Sequence, residues 1–208
     1  MAISDYTELK TAVANWLDRD DLADRIPEFI ALAEARMNRV LRLRMMESKY
    51  TASTVASQRN YALPASYIQM RNFQLNTSPI TSLSYVSPEI YDRLWGGSQG
   101  GTPLFYTIIA NELQLGPIPG SVITMEMLFY KKVSALSASN TTEVMLTDNP
   151  DVYLYGALLE AEPFVMNDER IGVWAQGFEK AIVDLQEQDN KDRHSGSALR
   201  VMNTGGYM

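Results

Sequence analysis

Apolar residues recur at three- and four-residue spacing over the first forty positions. The period disappears for the next hundred residues and returns near residue 150. Tyr6, Leu9, Val13, Trp16 and Leu17 form one stripe and predict a helix over 5–17. Ser4 is its expected N-cap, with Asp5 and Glu8 in the first turn. Asp18-Arg19-Asp20-Asp21 interrupts the pattern. Leu22, Ile26, Phe29, Ala33, Met37, Val40 and Leu41 then continue a stripe through a second helix. Pro27 either kinks that helix or marks its true first turn. Arg25, Glu28, Glu34, Arg36, Arg39 and Arg42 are read as lying mostly off the stripe.

From 46 to 146 Thr, Ser, Tyr, Asn, Gly and Pro become frequent, and two-residue alternation replaces the helical period. Strands are expected at 58–63, 68–75, 80–86, 104–109, 113–115 and 122–133. In the last of these Ile123, Met125, Met127 and Phe129 share one face, and Val122, Thr124, Glu126, Leu128 and Tyr130 the other. Asn111-Glu112 suits a hairpin turn, and 116–120 a longer one. Ser87-Pro88-Glu89 reads as an N-cap with proline at the first helical position, opening a short helix to Trp95. The run GGSQGG at 96–101 reads as a loop.

Helical character returns after Asp148-Asn149-Pro150. Apolar residues between 150 and 165 face several directions, so this helix is expected to be central, with Pro163 near its end. Asn167 and Asp168 are expected caps of a last helix to about 190, with Ile171, Trp174, Phe178, Ala181 and Leu185 on one stripe. Residues 194–208 carry no core-forming pattern. Helix pairs this short do not bury their stripes unaided. The expected class is therefore α+β: a small helical bundle from 1–45 and 147–193, an inserted β-rich region at 46–146, and an extended C-terminal tail at 194–208.

Apolar residues make up 46% and charged residues 21% of the 208, an ordinary folded composition rather than a disordered one. Cysteine is absent, which excludes disulfides, cysteine-ligated metal sites and a thiol nucleophile. With 18 Lys and Arg against 25 Asp and Glu, the net charge of −7 disfavours a general grip on a nucleic-acid backbone. The first ten residues lack the basic-then-apolar order of a signal peptide, and no apolar run is long enough for a membrane span, so no membrane partner is expected.

Candidate chemistry is sparse. His194, the single histidine, lies in a polar segment and lacks the rigid frame a catalytic triad needs. Glu160 and Glu162 are two apart on a helix and point away from each other. The glycine loop has no Lys after it to make a phosphate cradle. Asp18, Asp20 and Asp21 lack the rest of a calcium loop and read as caps. No metal site or cofactor is expected. Arg36, Arg39, Arg42 and Arg44, with Lys49, read as a solvated helix face or a contact with an acidic partner or DNA phosphates. The 11 tyrosines and 3 tryptophans, among them Tyr50, Tyr61, Tyr67, Tyr85, Tyr91, Trp95 and Tyr106, suit surfaces buried on assembly or a sugar site.

The run from Thr147 to Ala161, followed by Trp174, Phe178 and Ala181 on a long helix, resembles the head-to-tail adaptor (connector) proteins of tailed bacteriophages. Leu63-Pro64-Ala65-Ser66-Tyr67 is similar to that family's step into its β region, and the order of helices, β insertion and helices matches its layout. The resemblance implies a structural virion protein without catalytic residues. It would sit at the head-to-tail junction, in a twelve-subunit ring between the portal protein and tail or nozzle proteins. The ring would surround the channel of the genomic double-stranded DNA, with non-specific proximity to it. Ring closure needs a heterologous contact between neighbouring copies. Ser195, Leu199, Arg200, Val201, Tyr207 and Met208 are candidate portal contacts. Trp95, Gly97, Gln99, Pro117, Ile118 and Pro119 are candidates for subunit or tail contacts. Arg36, Arg39, Arg42, Glu160 and Glu162 are candidates for charged interfaces. The alternative readings are a tail terminator or stopper ring, and a carbohydrate- or receptor-binding virion protein with aromatic side chains on an open β face.

Overall fold

The computed structural model describes residues 2–96, 100–165 and 169–193. In chain order it contains α1 (Tyr6–Leu17), α2 (Ile26–Val40), β1 (Glu47–Ser53), β2 (Asn60–Ala62), β3 (Tyr67–Leu75), β4 (Thr81–Ser82), β5 (Ser84–Tyr85) and α3 (Pro88–Trp95). Then follow β6 (Gly100–Gly101), β7 (Phe105–Ile109), β8 (Glu112–Gly116), β9 (Ile118–Pro119) and β10 (Thr124–Lys131). The chain returns to helix in α4 (Val144–Asp148), α5 (Pro150–Glu160), α6 (Glu162–Val165) and α7 (Ile171–Arg193). The fold is α+β, with N- and C-terminal helices and a central β-rich stretch. It divides into a helical unit, Met1–Met45 with Val133–Met208, and a β unit, Met46–Lys132.

In the helical unit α1 is capped by Asp5 rather than by Ser4. Asp5 has extended backbone, so its carboxylate accepts from Thr7 and Glu8 N–H at 2.7 and 2.8 Å. Ser4 instead donates its N–H and hydroxyl to Glu8 Oε2, at 2.8 and 2.7 Å. Pro27 lies in the first turn of α2, where its missing N–H has no intrahelical acceptor to lose, and Leu22 falls in a separate 3-10 turn. The helix expected over 150–165 is two. Pro163 has no N–H for the carbonyl four residues back, so α5 stops at Glu160 and a short α6 follows. The expected caps Asn167 and Asp168 lie outside the described residues.

α5 is the centre of this unit. Val152, Tyr153, Leu154, Gly156, Ala157 and Leu158 are buried on different sides of it, against α1, α2 and α7. A Cβ on Gly156 would lie 3.1 Å from Ala33 Cβ and 3.1 Å from a Phe178 ring carbon, so α2 and α7 both approach its backbone closely. Trp174, Phe178, Ala181 and Ile182 form the buried stripe of α7. Residues 133–146 group with these helices because side chains of α2 hold them. Asn38 Oδ1 accepts Val133 N–H at 2.8 Å, and Glu34 Oε1 accepts Leu136 N–H at 2.9 Å.

In the β unit two four-stranded sheets, ordered β1-β10-β3-β4 and β2-β8-β7-β5, bury their apolar faces in one core. Met125, Met127 and Phe129 of β10 meet Phe73, Leu75, Tyr106, Leu113 and Leu115 there. β10 runs antiparallel between β1 and β3, in register Tyr50 to Met127 and Phe73 to Met127. β7 and β8 form a hairpin through Ala110 and Asn111, both at positive φ, as a two-residue turn of this hand requires. The turn thus begins one residue earlier than expected, and Glu112 is in β8. β6 and β9 make a separate parallel pair.

Candidate functional site

The charged candidates on the helices are largely paired within the helical unit. Arg36 Nη2 lies 2.7 Å from Glu160 Oε1, joining α2 to α5, and its guanidinium sits over the Phe178 ring at 5.9 Å. Arg42 Nη1 donates to the Asn38 carbonyl at 2.9 Å, closing the end of α2. Arg39, in the last turn of α2, and Glu162, in α6, are exposed, and their side chains make no hydrogen bond or ion pair with a described residue. Lys49 is in the β unit, where it pairs with Glu126 at 2.7 Å.

A tighter knot surrounds the end of α7. Asp189 accepts the backbone N–H of Arg44 at 2.9 Å, Arg44 Nε at 3.3 Å and Arg193 Nε at 2.6 Å. Arg44 Nη2 also donates to Asp192 at 2.8 Å, and Arg193 Nη2 to the Arg42 carbonyl at 3.3 Å. Burial pushes the Asp189 carboxyl up, but the Arg44 N–H and the two guanidiniums outweigh it and hold it below the usual range. The spacing of Asp189 and Arg193 on one helix is legible, but Arg44 is 145 residues distant and carries no sequence signal.

Beside this knot lies a row of cavities. One of about 370 Å³ is lined by Leu43, Arg44, Met45, Asp148, Leu185 and Asp189, among others. A second, about 320 Å³, shares Asp148 and adds Glu143 and Val144. A third, about 180 Å³, shares Leu43 and Asp189 and adds Val40 and Arg42. Asp148 is exposed, and its carboxylate makes no hydrogen bond or ion pair with a described residue.

A second feature the sequence reading missed is Glu34, read as off the α2 stripe yet 5% exposed. It lies on the buried face with Ile26, Ile30 and Met37. Burial raises its carboxyl, the Leu136 N–H partly offsets this, and nearby Glu143 raises it further, to about 7. The Tyr153 hydroxyl, buried without a hydrogen-bond partner among the described residues, is pushed up by burial and by Glu34 and Glu143.

In the β unit the expected contact residues are mostly held by their own neighbours. The Trp95 ring is half-buried and stacks on Phe105 at 4.8 Å, and its carbonyl accepts from Arg59 at 2.9 Å. Pro117 and Ile118 are half-buried and Pro119 is buried, Ile118 and Pro119 forming the strand that pairs with Gly100-Gly101. Gly97 and Gln99 lie outside the described residues, as do Ser195, Leu199, Arg200, Val201, Tyr207 and Met208. Of the aromatic excess, Tyr61, Tyr91 and Tyr106 are core residues, Tyr67 is half-buried on Phe129, and Tyr50 and Tyr85 are exposed.

Among the described residues no group of three or more His, Cys, Asp or Glu side chains could hold a metal ion, and no helix is long and apolar enough to cross a membrane. The class defined by these features is an α+β protein with terminal helices and a central β-rich stretch, in which Arg36–Glu160 and the Arg44–Asp189 knot tie α2 and the turn after it to α5 and α7. The family model of the SU10 adaptor protein matches residues 4–202, across both units. The chain belongs to this family of head-to-tail adaptors. No curated protein sequence matches it.

Proposed function

We propose that the protein is a structural component of a tailed-phage virion: a head-to-tail adaptor that forms a ring between the portal and the tail and surrounds the DNA channel. The observation that carries this reading is the family match over residues 4–202, which takes in the helical unit and the β unit together. The ring would hold about twelve copies through a heterologous contact. Residues 194–208 would reach the portal, and exposed residues of the β unit would meet neighbouring copies or tail proteins. The negative net charge supports a passage that DNA traverses without sticking.

The test is electron imaging and native mass measurement of the chain alone and mixed with portal rings. A ring of adaptor copies on the portal is expected. Removal of 195–208 is expected to abolish docking. A truncated chain that docks with undiminished affinity overturns the portal role of that segment, and failure of the full chain to bind portal rings overturns the adaptor reading.

A further inference from the structure

We propose that residues 194–208 dock in the acidic groove of their own helical unit, an intramolecular contact that occupies this segment before assembly. The inference rests on the adaptor reading only for what later displaces the segment.

The groove is the row of cavities along α4, the turn at 41–45 and the last third of α7. Its lining includes four carboxylates, Glu143, Asp148, Asp189 and Asp192, against two guanidiniums, Arg42 and Arg44. Asp189 and Asp192 are engaged by Arg44, which leaves Glu143 and Asp148; of these Asp148 is exposed and is shared by the two larger cavities, so it has charge to offer. Half-buried Met45 and Leu185, beside buried Leu43, give the groove an apolar floor. An occupant that fits is short, carries one or two apolar side chains, and brings a cation.

The chain itself supplies such a segment at the groove's edge. α7 lines the groove with Leu185, Gln188, Asp189 and Asp192 and ends at Arg193. The next fifteen residues contain no Asp or Glu, and they contain Arg200 between Leu199 and Val201. In an extended run Leu199 and Val201 point to one side and Arg200 to the other. Leu199 and Val201 can therefore meet Met45 and Leu185 while Arg200 meets Asp148. Ser195-Gly196-Ser197 has the composition of the reversal this path needs. A tether of a few residues sets an effective concentration on the order of millimolar, so a weak contact suffices.

Amide hydrogen exchange on the full chain tests this, with Asp148→Lys, Arg200→Glu and the double variant. Asp148 is exposed, so Asp148→Lys is expected to leave the fold intact. In the unsubstituted chain the amides around 199–201 are expected to exchange at least tenfold more slowly than in the free peptide 194–208. Each single variant should abolish that protection, and the double variant, with the charges exchanged, should restore it. Free-peptide rates in the unsubstituted chain, or protection unchanged in both single variants, overturn the proposal. Portal binding is read separately. Asp148→Lys is expected to bind portal rings at least as fast as the unsubstituted chain. Slower portal binding by Asp148→Lys, once it has lost tail protection, overturns the masking role. A protected tail in a chain that never binds portal rings leaves the groove contact standing and removes the adaptor reading.

Discussion

Glu34 Oε1 accepts the backbone N–H of Leu136 across 102 residues of sequence, at 2.9 Å, from inside the apolar face of α2. The contact satisfies a buried N–H, but it places a carboxyl where charge is poorly solvated. Tyr6 and Tyr153 respond to its charge, and Glu143 is its acidic neighbour. In the unfolded chain this carboxyl titrates near 4.5, and in the folded chain near 7. Between those values the native state holds a proton that the unfolded state has released. The contribution of Glu34 is therefore fully present below 4.5 and is lost as pH rises through 7, a change of about 3 kcal/mol. Glu34→Gln keeps the acceptor and removes the titration. Urea unfolding at pH 5 and pH 8 is expected to show the variant more stable than the parent at pH 8, with the gap closing at pH 5. Parallel pH profiles for the two proteins would contradict this.

Two buried tyrosines should respond oppositely to loss of their hydroxyls. Tyr91 donates to the Leu115 carbonyl at 2.8 Å, whereas the Tyr153 hydroxyl has no partner among the described residues. Tyr91→Phe is expected to lose about 1 kcal/mol. Tyr153→Phe removes an unsatisfied polar group and should be neutral or stabilising by about 1 kcal/mol. Denaturant midpoints of the two variants decide the matter, and equal losses would argue against it.

What was legible in the sequence follows from burial on one side. α1, α2 and α7 carry stripes because each buries one face, and β10 alternates because Met125, Met127 and Phe129 enter the core and Thr124 and Glu126 do not. β1 gave no such signal. It is an edge strand whose residues are exposed or half-buried, so neither face has to be apolar. The link at 133–143 has no period either: Asn38 and Glu34 hold its backbone at Val133 and Leu136, and the side chains it buries, Val133 and Leu136, fall in no helical or strand repeat. Glu34 itself was visible as a charge four residues after Ile30 and three after Ala31, within the turn that carries Ala33 and Met37, but its polarity outweighed its position. The Arg44–Asp189 knot joins residues with no local relation and could be read only from coordinates.

The glycines of the helical unit should separate by what surrounds them. A Cβ at position 156 would meet Ala33 and Phe178 at 3.1 Å, with helices on both sides, so Gly156→Ala is expected to destabilise by about 1–3 kcal/mol. At position 172, in the first turn of α7, a Cβ would meet nothing within 4 Å. Gly172→Ala is expected to stabilise by up to about 1 kcal/mol by restricting the unfolded chain. Thermal unfolding of the two variants should shift in opposite directions. A shift of the same sign would mean that helix propensity, rather than close approach, governs position 156.

Asp189 fixes the last turns of α7 to the turn after α2, and its effect should exceed that of Asp192 despite their similar partners. Asp189 is largely buried and receives one backbone and two guanidinium donors, whereas half-exposed Asp192 receives Arg44 from solvent. Asp189→Asn leaves Arg44 and Arg193 without their shared carboxylate and is expected to cost about 1–3 kcal/mol. Asp192→Asn should cost under about 1 kcal/mol. Because the Asp189 carboxyl is held below its ordinary 3.8 in the folded chain, its contribution is complete above that value and is lost as pH falls through the lower folded value. Amide exchange in residues 185–193 should rise in Asp189→Asn and stay near the parent in Asp192→Asn. Equal rises would locate the fastening in the exposed Arg44–Asp192 pair instead.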